Sequence, residues 1–227
     1  MRTVRFPDSR PLGTLTIREH GAPPLTWREL GAAQGTVVVP DNVDLRLSIR
    51  VAGGPLLDPQ QVVVDDLGVV AALDPDTIQV LAVRQAHGVD FAPLAQVPEL
   101  QELHLSVSGI TDADLARLPV LRELRVLLLG GTRITDAGLR TLARFPALTV
   151  LDLTDTAITD AGLAQLVALS TLTTLIVSGT RITRAAAGPL AALPALQTVY
   201  FSWSSPDHAE LAYLRTALPG IEFVLWP

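Results

Sequence analysis

The chain is expected to fold as an α/β solenoid, with a parallel sheet on one side, short helices on the other and a β-rich segment at its start. Three observations predict this. Leu100, Leu124, Leu148, Leu172 and Leu196 recur at intervals of 24 residues. Within each interval an alternating L-x-L stretch precedes a period-three L-x-x-L-x-x-L stretch, the patterns of a strand and of a helix. The composition is 48% hydrophobic yet only 4% aromatic, which suits thin aliphatic layers laid one on another. A single unit would leave its leucine face wet, so neighbours must stack around a continuous core.

Residues 1–75 lie outside the period. LGTLTIRE, GTVVVP and DLRLSIRV read as short strands separated by Gly, Pro and Asp turns. DPQQVVVDDLGVVAAL (58–73) reads as a helix opened by Asp58 and Pro59. The expected role of this segment is an N-terminal cap over the open core edge of the first unit, with an independent functional domain as the alternative. A degenerate unit follows (Ile78, Leu81, Val83, Phe91, Leu94, Val97), set 22 residues before Leu100.

The regular units then hold their columns. Leu103, Leu127, Leu151, Leu175 and Val199 form one, and Leu105, Leu129, Leu153, Val177 and Phe201 the next. Thr111, Thr135, Thr159 and Thr183 stand where helix N-caps are wanted. The first three are followed by Asp112, Asp136 and Asp160, on the positive side of a helix dipole. Pro98, Pro146, Pro194 and Pro219 close the helices, each two residues before the next strand begins. Ser205-Pro206-Asp207 opens the last helix, and IEFVLW (221–226) is a final strand, 25 residues after Leu196. Six of the ten aromatic residues (Tyr200, Phe201, Trp203, Tyr213, Phe223, Trp226) fall in the last 28 residues. An open core end has to be blunted, so Phe201 and Trp226 are expected to seal it with help from Tyr213.

Written out, one unit is LTVLDLTDTAITDAGLAQLVALST. It resembles the leucine-rich repeat family, whose strand signature is L-x-x-L-x-L. The I-T-D-A-G-L segment is similar to the bacterial and F-box-associated subclass. The resemblance covers residues 76–227 and implies a horseshoe of about six strands plus a C-terminal cap, with a concave parallel sheet and convex helices. That subclass often carries Cys or Asn after the strand. Here the column reads Ser108, Thr132, Thr156, Thr180 and Ser204, a ladder of hydroxyls. Residues 1–75 do not look like an F-box, so a ubiquitin-ligase adaptor reading has no anchor.

Composition removes several functions. Without Cys there is no disulfide framework, thiol nucleophile or thiolate metal site. All 17 basic residues are Arg, which removes lysine Schiff bases and the phosphate-binding P-loop lysine. A net charge of −6 argues against a nucleic-acid partner. No apolar run approaches the roughly 18 residues of a membrane span, and MRTVRFPDSRPLG lacks a signal-peptide core. A cytoplasmic, membrane-free protein is expected, with no cofactor and no metal.

Residues between the strand leucines point away from the core. Along the sheet they form one row of Ala82, His104, Leu128, Asp152, Ile176, Tyr200 and Leu225, and another of Val80, Glu102, Val126, Val150, Thr174, Thr198 and Phe223. Arg84 lies beyond them at the N-terminal end and Trp203 at the other. With strands about 4.8 Å apart, Val126, Leu128, Val150, Ile176, Tyr200, Phe223 and Leu225 would make one apolar band, the usual mark of an interaction site. The expected function is a non-catalytic protein–protein interaction module. Its contacts are Arg84, Glu102, His104, Val126, Leu128, Val150, Asp152, Ile176, Tyr200, Trp203, Phe223 and Leu225. Two alternatives stand beside it. A structural protein would bury the same band in a homodimer, and the N-terminal segment could itself cover part of the face. A hydrolase reading rests on Glu102, His104 and Ser106, an acid, a base and a nucleophile on one strand face. Their spacing of about 6.6 Å per pair, with no oxyanion donor nearby, argues against it. Asp112, Asp136 and Asp160 recur like calcium ligands, but one carboxylate per rung is too sparse for a metal.

Overall fold

The computed structural model describes residues 1–6, 14–19, 28–34, 36–39, 43–51, 63–64, 67–73, 78–84, 88–202 and 208–226. In chain order the strands are β1 (Arg2–Arg5), β2 (Thr14–Glu19), β3 (Arg28–Ala32), β4 (Thr36–Val39), β5 (Val43–Val51), β6 (Val63–Val64) and β7 (Val80–Arg84). The repeats add β8 (Glu102–His104), β9 (Val126–Leu128), β10 (Val150–Asp152), β11 (Thr174–Ile176), β12 (Thr198–Ser202) and β13 (Glu222–Trp226). Helices α1 (Asp112–Arg117), α2 (Asp136–Leu139), α3 (Asp160–Leu163), α4 (Ala187–Ala191) and α5 (His208–Ala217) lie between the later strands.

From β7 to β13 every neighbouring pair is parallel and in register: Glu102, Val126, Val150, Thr174, Thr198 and Glu222 stand side by side. The sheet order runs β13-β12-β11-β10-β9-β8-β7-β5-β2-β3, with β6 on β5. This is an open solenoid of stacked strand-and-helix units. Leu103, Leu127, Leu151, Leu175 and Val199 are wholly buried, as are Leu105, Leu129 and Leu153 beside them. No helix among the described residues is long and apolar enough to cross a membrane.

The sheet continues into the N-terminal residues. β5 runs parallel to β7 and antiparallel to β2, and Leu15, Ile17, Leu45 and Leu47 join the same buried cluster as Leu81 and Leu103. The three expected strands are β2, β4 and β5; β1 pairs antiparallel with β4 as a separate ribbon. The helix expected over 58–73 is not a single element. Val63–Val64 pairs with β5, and among the described residues of the segment only Leu67–Ala72 is helical, as a 3-10 turn. The β-branched run is drawn to the sheet edge, where its backbone finds partners. Asp58 and Pro59 lie outside the described residues.

The convex side is tighter than an α-helical layer. α2 and α3 are one turn each and pass directly into 3-10 segments, Arg140–Arg144 and Ala164–Ala168. A 3-10 helix has three residues per turn, so the period-three leucines fall on one face. Leu139, Leu142 and Phe145 are all buried.

The I-T-D-A-G-L motif joins one unit to the next. Thr135, Thr159 and Thr183 cap their helices, each hydroxyl accepting from the backbone N–H two residues on. The carboxylate of each Asp, however, reaches forward into the following unit. Asp136 accepts from Thr159 N at 2.8 Å and from Thr159 Oγ1 at 2.6 Å. Asp112 does the same for Thr135, and Asp160 for Thr183. A Cβ on Gly138 or Gly162 would press on the carboxylate of the preceding unit's Asp as it stands. The fourth unit carries Ala186 there and keeps the bonds, at 2.9 and 2.7 Å.

The first unit has no preceding Asp, and its sequence answers this locally. Asp114 replaces the glycine and closes a capping box with Thr111. Burial raises the Asp114 carboxyl's affinity for a proton, but bonds from Thr111 and Arg117 outweigh it and hold its pKa below the usual range. The hydroxyl ladder has a structural use too: Ser108, Thr132, Thr156 and Thr180 each donate to the carbonyl three residues back.

One column is strained. Val107, Gly131, Asp155 and Gly179 all have left-handed backbones, with φ of 54°, 67°, 52° and 66°. For a β-branched residue this is costly, and Val107 recovers little by packing, being 79% exposed. Val107→Gly is therefore expected to stabilise the chain by about 0.5–1 kcal/mol. A urea titration checks it; a destabilised variant would mean that the Val107 side chain has contacts worth more than its strain.

Candidate functional site

The face of β7–β13 opposite the helices is the candidate site. From β8 to β11 its residues come from strands of only three positions, whose middle side chain is buried and whose outer two are half-buried. Val126, Leu128, Val150, Asp152, Thr174, Ile176, Thr198 and Tyr200 all lie half-buried on it. The register sets Leu128, Asp152, Ile176 and Tyr200 in one row and Val126, Val150, Thr174 and Thr198 in the other. Val126, Leu128, Val150, Ile176 and Tyr200 thus stand on one face, with Asp152, Thr174 and Thr198 set among them.

Both ends differ from expectation. At β13 the sheet keeps its 24-residue register, so Glu222 and Val224, not Phe223 and Leu225, complete the two rows. Phe223 is buried, with its ring 6.1 Å from that of Phe201, and Leu225 pairs with Phe201 at the margin of the core. The alternative register would have turned Glu222 inward, and burying an unpaired carboxylate costs far more than hiding a phenyl ring gains. Tyr213 does not seal the end. It is 48% exposed, with the Arg184 guanidinium 5.9 Å from its ring centre, while Leu211 and Leu214 turn inward. Trp203 and the side chains of Trp226 and Arg84 lie outside the described residues, as does the Ser205-Pro206-Asp207 cap.

At the N-terminal end the face is closed from within the chain. Arg18 of β2 reaches past β5 and β7 to bond Glu102 at 2.7 Å. The other carboxylate oxygen of Glu102 lies 3.2 Å from His104 Nε2. Val80 and Ala82, on the strand between, are buried. Burial pushes the Glu102 carboxyl toward protonation, but the bonds from His104 and Arg18 and their charge prevail, leaving its pKa below the ordinary value. Glu102 and His104 thus meet, closer than strand spacing alone suggests, because both side chains are long enough to lean together. The contact completes an ion network with Arg18; among the described residues no hydrogen bond joins His104 to Ser106. Sequence reasoning missed Arg18, since nothing periodic links residue 18 to residue 102.

Asp152 is the charged residue at the centre. Its Oδ1 accepts from Thr154 N at 2.9 Å and from Thr154 Oγ1 at 2.6 Å. Its Oδ2 leans over Gly130, where a Cβ would come within 3.0 Å.

Residues 146–167 match the model of a Leucine Rich repeat family. An internalin C2 from Listeria monocytogenes shares 29% identity, covering 61% of this chain and 57% of that one, with a TM-score of 0.48. A second internalin of that organism, inlF, shares 21% identity over 68% of this chain and 46% of its own, with a TM-score of 0.43. The chain spans about half the length of these two structures. No curated protein matches it.

Proposed function

We propose that this chain of leucine-rich repeats is a protein–protein interaction module, without chemistry of its own, that takes its partner on the open sheet face. The observation carrying this reading is the band of Val126, Leu128, Val150 and Ile176 with Tyr200, set in register on one sheet. Each strand is fixed by its neighbours and by the Asp–Thr bonds between units. Such a face loses little freedom when a partner docks, and that saving is what a preorganised scaffold offers. Aromatic and aliphatic groups at its centre suit the anchors of an interface. Within this reading residues 1–75 cap the first edge of the stack, supported by the place of Leu45 and Leu47 in the shared core.

Leu128→Asp combined with Ile176→Asp is expected to abolish partner recovery from a lysate of the source organism while leaving the melting temperature nearly unchanged. Both residues are half-exposed on the open face, so the aspartates can stay hydrated without opening the core. Partner recovery equal to wild type in a folded double variant would sink the proposal. Light scattering at several concentrations tells whether the partner is a second copy, because the same variant would then become monomeric.

A further inference from the structure

We propose that the partner presents a basic side chain, arginine or lysine flanked by apolar residues, and that this cation docks on Asp152 at the centre of the face. The inference rests on the reading of this face as a binding surface and adds the chemistry of what it binds. The sheet register puts Leu128 and Ile176 on either side of Asp152, each about 4.8 Å away. The carboxylate is held in place: Thr154 fixes Oδ1 through two hydrogen bonds, and Gly130 leaves the space that Oδ2 occupies. No cation among the described residues pairs with it.

The charge balance of the face points the same way. Its described cations are engaged at the N-terminal end, Arg18 with Glu102 and Arg46 with Thr16. Asp152 in the middle and Glu222 at the far edge are left without a countercharge among the described residues. A purely apolar partner would take the Asp152 carboxylate out of water with only the two Thr154 bonds to Oδ1 left to it and no countercharge. An acidic partner would be repelled. A long basic side chain fits both parts of the site, with its methylene stem on Leu128 and Ile176 and its charged end on Asp152.

The test is selection of short random-sequence peptides, displayed on bacteriophage, against the full chain. The enriched sequences should carry Arg or Lys beside apolar residues and should bind Asp152→Asn about tenfold more weakly, the low end for losing a hydrogen bond to a charged group. Asn keeps an acceptor for Thr154, so the melting temperature of this variant should stay at the wild-type value. Peptides without a basic residue that bind wild type and Asp152→Asn alike, but fail on Leu128→Asp/Ile176→Asp, overturn the basic-partner inference and leave the binding face standing. Peptides indifferent to both variants, or no enrichment at all, overturn both.

Discussion

Leu151→Ala is expected to lower the unfolding free energy by about 2–5 kcal/mol, the range for emptying a fully buried leucine site. Leu151 is wholly buried in β10, between Leu127 and Leu175 of the adjoining strands. Those neighbours belong to stacked rungs fixed by their own backbone ladders, so the site can collapse only partly. The cost also falls on the stack as a whole. Each unit touches chiefly its neighbours, and a defect in the middle weakens two interfaces at once. A urea titration should therefore show a lower midpoint and a broader transition. Val38→Ala, at a side chain 54% exposed, is the matched control and should change little. A loss under about 1 kcal/mol for Leu151→Ala would mean that the rungs can close over the gap.

Asp136→Ala is expected to cost about 2 kcal/mol, although Asp136 stands outside the buried core. Its carboxylate accepts two hydrogen bonds from Thr159 in the next unit. Bonds to a charged group are worth about 1.5–3 kcal/mol when shielded, and the half-buried setting reduces that because water can replace part of them. Asp136→Asn keeps an acceptor for the Thr159 backbone N–H and should lose roughly half as much. The effect should be coupled: in the Thr159→Ala background, removing Asp136 should cost clearly less, because one of its two donors is already gone. Equal losses in both backgrounds would contradict a direct bond and would favour an effect on the helix terminus of Asp136 itself.

The contrast between these two residues explains what the sequence could reveal. Leu151 was legible because a core column needs only period and hydrophobicity, both of which are written in the chain. The Thr caps were legible as well, since a cap acts within three residues. The forward reach of Asp136 was not: at its own helix start an Asp already has a sufficient local reason to be there. Asp114 is the clue in hindsight. It replaces the motif's glycine only in the first unit, where no earlier carboxylate can arrive.

The candidate face was legible through its middle and less so at its ends. Leu128, Asp152 and Ile176 follow from strand alternation alone. At β13 the spacing measured from Leu196 to Ile221 suggested a slip of one residue, and the sheet keeps its register because the slip would bury Glu222. At the other end, antiparallel pairing by β2 and β5 carries no periodic signal, so neither the continuation of the sheet nor the bond from Arg18 to Glu102 could be read from spacing. The result is a face narrower than expected, closed by Arg18 on one side and without Phe223 on the other.

We propose that this chain binds its partner with the open sheet face and not with the helical side. The most direct measurement is the affinity of the recovered partner for three proteins: wild type, Leu128→Asp/Ile176→Asp on the sheet face, and Val120→Asp/Val167→Asp at exposed positions outside the sheet. Wild-type affinity is expected for the last and no measurable binding for the sheet-face variant. The opposite pattern, with binding kept by the sheet-face variant and lost by the other, would contradict it.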